Sequence, residues 1–126
     1  MKKELSVECL RGAFSVCRLA DADALPRMEK MMFAAVTDEE VSLVCPTERV
    51  PEHTTAREDG WCGFRFVGTL DFSLVGILFT AAEALKNASV PIFAVSTYNT
   101  DYIFVKEADR ENAVAALSER FTVKEL

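Results

Sequence analysis

The stretch Pro91-Ile92-Phe93-Ala94-Val95-Ser96-Thr97-Tyr98-Asn99-Thr100-Asp101-Tyr102-Ile103-Phe104-Val105-Lys106 decides how the chain is read. Two strand-length runs of apolar, largely β-branched and aromatic residues flank a polar connection whose Asn99 suits a tight turn. The pattern predicts a β-hairpin. Upstream, Cys62 to Leu70 carries Phe64 and Phe66 two residues apart and predicts a strand. Asp71 or Ser73 is then placed to cap a helix, because their side-chain oxygens can accept from unpaired N–H groups of the first turn. Leu74, Leu78, Ala81 and Leu85 recur at helical spacing, and Asn87 is placed to end the helix in a left-handed conformation. Downstream, Asp109 is placed to cap a second helix with Ala113, Val114, Leu117 and Phe121 on its buried face. Phe121-Thr122-Val123 predicts a last strand.

The order is strand, helix, strand, strand, helix, strand. It predicts an α+β fold: a ferredoxin-like βαββαβ unit, with an antiparallel sheet and both helices on one face. On this path the strand after the first helix is expected beside the strand before it. The first half reads as a worn copy. Phe33-Ala34-Ala35-Val36-Thr37 followed by Val41-Ser42-Leu43-Val44 echoes Phe93-Ala94-Val95-Ser96-Thr97 followed by Tyr102-Ile103-Phe104-Val105. Leu5–Glu8 and Ala13–Leu19 alternate as strands around Arg11-Gly12, and residues 21–30 predict a short helical or irregular patch limited by Pro26. Residues 46–60 are the most polar part and predict a linker or long surface loop. The expected division is therefore 1–59, a degenerate half including the linker 46–59, and 60–126, a complete unit.

Composition narrows the function. The chain has 126 residues, half of them hydrophobic and 27% charged, which suits a packed globular protein and not a disordered one. Fourteen basic against 20 acidic side chains give a net charge of −6, which repels phosphate, so no nucleic-acid partner is expected. Glu8 and Arg11 interrupt any apolar run after Met1-Lys2-Lys3, so no secretory signal is expected. The longest apolar stretch, from Leu74 to Phe79, falls far short of the ~20 residues of a membrane span. Cys9, Cys17, Cys45 and Cys62 form no C-x-x-C pair and read as reduced, mostly buried thiols of a cytoplasmic protein.

The usual chemical motifs are missing. His53 is the only histidine and lies in the polar stretch, no G-x-x-x-x-G-K loop is present, and thiols and imidazole are scattered. No catalytic set, cofactor or metal is expected. Two segments remain. Gly68-Thr69-Leu70-Asp71-Phe72-Ser73-Leu74-Val75-Gly76 joins a strand to a helix N-terminus, where N–H groups attract an anion. Gly76, read within the first helical turns, permits close approach of a backbone or a ligand. Ser96-Thr97-Tyr98-Asn99-Thr100-Asp101 offers hydroxyls, an amide and a carboxylate that can hold a cation. The same residues also serve simply as caps, packing and a turn.

The runs Gly68–Leu78 and Ile92–Val105, with the S-T-Y-x-T-D-Y motif at 96–102, resemble the ACT-domain family. The likeness is narrower still to small bacterial tandem ACT proteins, related to the aspartokinase regulatory domains and the cytosolic arginine sensors. The segment from Val50-Pro51 to Gly60-Trp61 resembles that family's inter-domain stretch. The resemblance implies two ACT units in tandem, the first degenerate, and no catalysis. It also implies sensing of a small molecule, usually an amino acid, at an interface between ACT units. Carried over by position, the ligand contacts fall on Asp71, Phe72, Ser73, Leu74, Val75 and Gly76, and on Ser96, Thr97, Tyr98 and Asp101. In the arginine sensors the residue matching Asp101 holds a cationic group. Asn99 and Phe104 stand where the family varies, so ligand identity does not carry over. The sensors hold more ACT units than this chain, so a comparable interface requires the first half or a second subunit. A homo-oligomeric structural module that binds no ligand is the alternative reading.

Overall fold

The computed structural model describes residues 5–67 and 76–125. The elements follow in the order β1 (Ser6–Cys9), β2 (Phe14–Leu19), β3 (Phe33–Val36), β4 (Val41–Pro46), β5 (Ala56–Phe66), α1 (Ile77–Asn87), β6 (Ile92–Ser96), β7 (Asp101–Lys106), α2 (Arg110–Ser118) and β8 (Thr122–Lys124). The chain forms two compact units, a larger one of Met1–Arg11 with Cys62–Leu126 and a smaller one of Gly12–Trp61.

In the larger unit β6 pairs with β7, β7 with β5, and β1 with both β5 and β8. Leaving β1 aside, the order β6-β7-β5-β8 is that of a ferredoxin-like sheet. The strand after the first helix therefore does not lie beside the strand before it, contrary to expectation. The chain leaves one strand's width, which β7 fills. β1 enters antiparallel to β5, with Cys9 opposite Phe64, and parallel to β8, with Val7 opposite Val123. The core lies between sheet and helices. Phe64, Phe66, Ile103 and Val105 from the sheet meet Ala81, Leu85, Ala113 and Leu117 from the helices, all under 3% exposed. Phe121 joins them, its ring edge-on to Phe66 at 5.4 Å. On the other sheet face Phe93 stacks on Phe104 at 4.8 Å.

The smaller unit repeats the path without α-helices among its described residues. β2, a 3-10 turn at Ala22–Ala24, β3, β4, a 3-10 turn at Thr47–Arg49 and β5 follow in turn, with strand order β3-β4-β2-β5. Single turns stand where the larger unit has helices. The core is correspondingly thin: Cys17, Leu19, Val41, Leu43 and Cys45, closed by Ala24, Leu25, Met32 and Val50. Ser15, fully buried at a register shift in β2, is held by Thr47 at 2.9 Å and donates to Asp59 at 2.6 Å.

The internal repeat is geometric. Phe33 and Phe93, Thr37 and Thr97, and Thr47 and Glu107 each stand 60 residues apart. Phe33 pairs with Val44 as Phe93 pairs with Phe104. In each hairpin the threonine N–H donates to the carbonyl three residues on, Thr37 to Glu40 at 2.9 Å and Thr97 to Thr100 at 2.8 Å. Each threonine hydroxyl repeats that donation and accepts from the same residue's N–H. A 3-10 turn follows both hairpins.

The polar stretch 46–60 is not all linker. Its last five residues open β5, where Arg57, Glu58 and Asp59 are exposed. Composition registers solvent exposure, which an exposed strand shares with a loop. The 59/60 division therefore falls within a continuous strand that pairs with β2 through Ala56–Trp61 and with β1 through Phe64–Phe66.

Candidate functional site

Of the residues singled out, Asp71, Phe72, Ser73, Leu74 and Val75 lie outside the described residues. Gly76, Ser96, Thr97, Tyr98 and Asp101 are described. Gly76 is the N-cap of α1 and not part of its first turns. Its φ of 86° is left-handed, and its carbonyl accepts from the Thr80 N–H at 2.7 Å. A Cβ built on Gly76 meets nothing within 4 Å, so backbone conformation and not packing calls for glycine there. α1 starts at Ile77, so the cap position expected at Asp71 or Ser73 falls to Gly76. At the other end Asn87 stays helical, and the left-handed residue is Ser89 at φ 62°.

Ser96 and Asp101 face each other as the terminal registered pair of β6 and β7. Thr97 is spent on the turn through its two bonds with Thr100. Tyr98 stands at the tip, 84% exposed. Asp101 is half-buried and has no ion pair among the described residues. Three arginines of the larger unit are engaged elsewhere: Arg65 with Glu8, Arg110 with Glu125, and Arg120 with Glu83. The Arg65 guanidinium donates to Glu8, and this bond, then that with Tyr102, pushes it above its ordinary range.

The residue that joins the hairpin to the rest of the site is Thr100. It is buried at 7% exposure, and its hydroxyl donates to the Phe66 carbonyl at 3.0 Å. Phe66 ends β5, two residues before Gly68. The chain that leads into the first candidate segment is thus bonded to the turn that makes the second. Thr100 reads in the sequence only as part of a polar turn. The available signal is its place beside Asp101, where strand alternation turns one of the two inward.

The four cysteines are free and buried, as the sequence implies. Burial pushes the Cys62 thiol up to about 12, with Glu107 adding to it, and the Cys45 thiol up to about 11. Such thiols are poor nucleophiles at neutral pH. Among the described residues no group of three or more His, Cys, Asp or Glu could hold a metal ion, and no helix is long and apolar enough to cross a membrane.

A family model for the ACT domain matches residues 56–119. No curated protein sequence matches the chain. Among solved structures, a protein of Agrobacterium tumefaciens is similar at 26% identity and a TM-score of 0.86, over 97% of this chain and 93% of that one. The ligand-free regulatory subunit of aspartate kinase from Thermus thermophilus aligns with a TM-score of 0.67 at 10% identity, over 90% and 95%. The aspartate kinase of Clostridium acetobutylicum, an allosteric enzyme, aligns at 0.66 and 15%, over 92% of this chain and 33% of the enzyme. The two kinase matches show a shared fold. With the family model covering half the chain, the sheet order and the repeated hairpins identify this protein as a member of the ACT-domain family.

Proposed function

We propose that the protein is a non-catalytic regulatory module that binds a small zwitterion, an amino acid, in the larger unit. The observation that carries this reading is Asp101. The residue is half-buried at the start of β7 and has no ion pair among the described residues. An amino acid presents an ammonium group, or a cationic side chain, for that carboxylate. Its own carboxylate needs N–H donors, and the segment from Gly68 to Gly76 before α1 is where they are sought. Both charges need fixed partners once they leave water. Aspartate kinase regulatory subunits of the same fold fit a regulatory role. Four free, buried thiols fit the reducing cytoplasm.

The test is a thermal-shift screen against the common amino acids at millimolar concentration. Ligand at about 100 times Kd adds about 2.7 kcal/mol to stability. The expected result is a clear rise in Tm with one or a few chemically related amino acids. Failure of all of them to move Tm overturns the reading.

A further inference from the structure

The internal repeat matches two arginines that are partnered differently. In the larger unit Arg65 faces Glu8 in register. Its guanidinium donates to Glu8, from Nε at 2.9 Å, and also bonds with Tyr102. The 60-residue offset of the hairpins puts Ser42 where the larger unit has Tyr102. Arg18 faces Ser42 on one side and Ala56 on the other. Arg18 therefore holds the place of Arg65, with serine for the tyrosine and alanine for the glutamate.

The exchange leaves a guanidinium and the space to use it. One row across the smaller unit's sheet runs Ala35, Ser42, Arg18 and Ala56, so Arg18 is its one long side chain. A hollow of about 230 Å³ opens there, with Val16, Arg18, Glu40, Ser42, Ala56 and Glu58 among the residues that line it. Arg18 is exposed and has no ion pair among the described residues, while its Nε donates to Thr55 Oγ1 at 3.1 Å and so orients the planar head. The next row on the same face is apolar across three strands: Phe33, Val44 and Val16 stand in register.

We propose that this hollow is a second small-molecule site, which takes a monocarboxylate with a short apolar tail. The carboxylate lies on Arg18 as that of Glu8 lies on Arg65, the pairing that a guanidinium fork fits best. Ser42 offers its hydroxyl to the same group, and the tail lies along Val16 and Val44. Glu40 and Glu58 at the rim repel a dianion such as phosphate. A hollow of about 230 Å³ is below the roughly 300 Å³ at which drug-sized sites begin, so the ligand is small. The inference does not rest on the reading of Asp101, which concerns the other unit.

Amide-resolved NMR of the full chain, titrated with isovalerate to tens of millimolar at constant ionic strength, tests it. The amides of Arg18, Ser42 and Ala56 should shift saturably, while isovaleramide and phosphate should leave them in place. Arg18→Gln should weaken binding at least about tenfold. Ala56→Glu supplies a carboxylate from within the chain, as Glu8 does for Arg65, and should block binding. Asp101→Asn should leave it unchanged. Should Arg18→Gln fail to fold, Ala56→Glu decides the matter. Absence of a saturable shift at these amides overturns the proposal, as does an equal response to isovaleramide or phosphate. So does binding that survives both Arg18→Gln and Ala56→Glu, or binding lost in Asp101→Asn, the mark of a site in the larger unit.

Discussion

The hydroxyl of Thr100 donates to the carbonyl of Phe66 at 3.0 Å, within the core of the larger unit. The bond fixes the β6–β7 turn against the end of β5, just before the chain enters residues 68–75. Thr100→Val keeps the shape and removes the donor. It should cost about 1–2 kcal/mol, because a buried carbonyl loses its side-chain partner. Thr100→Ser should recover most of that loss, and urea denaturation of the two variants checks both values.

Gly63 tests the packing of the sheet face away from the helices. A Cβ built there stands 2.8 Å from Leu10 Cδ1 and 2.8 Å from Phe104 Cε2. Phe104 is fully buried and stacked on Phe93, so its ring has nowhere to retreat. Gly63→Ala should therefore destabilise by about 1–3 kcal/mol through overpacking. Equilibrium unfolding should show a lower midpoint with little change in slope.

Gly76 should respond for a different reason. Space is open around it, but its φ of 86° is left-handed. Gly76→Ala should cost about 1–2 kcal/mol as backbone strain alone. Gly76→Asn should cost less, since asparagine tolerates this conformation. Equal penalties for the two variants would show that contact and not conformation governs the site.

The thiols give a pH dependence. Burial raises the folded-state pKa of Cys62 to about 12 and of Cys45 to about 11, above the ordinary 9.0. The folded chain thus holds these protons where the unfolded chain releases them. Their contribution to stability is complete below pH 9 and is lost as pH rises from 9 toward 11–12. At pH 8 the native protein should react slowly with an aromatic disulfide reagent, and unfolding in urea should release all four thiols.

What the sequence showed of the fold follows from packing. α1 and α2 have apolar faces at helical spacing, and the β6–β7 hairpin has two apolar runs around a turn, so burial left a periodic trace. The helix ends were less legible. Gly76 and Ser89 take left-handed conformations, and neighbouring Ser73 and Asn87 suit such ends equally well by residue type. The start of β5 was hidden because Arg57, Glu58 and Asp59 are exposed on a strand, and polarity alone reads as loop. The place of β1 between β5 and β8 is a long-range pairing that no local pattern encodes. At the site, Asp101 and its turn were legible as polar residues between apolar strands. The role of Thr100 needed the position of Phe66, 34 residues away.

In the proposed complex Asp101 is the cation partner of a bound amino acid. Isothermal titration calorimetry of the amino acid that gives the largest thermal shift, with wild type and Asp101→Asn compared at equal stability, tests this most directly. Binding to wild type should be saturable, and Asp101→Asn should lose affinity at least about tenfold, the worth of about 1.4 kcal/mol. Unchanged affinity in Asp101→Asn would contradict it.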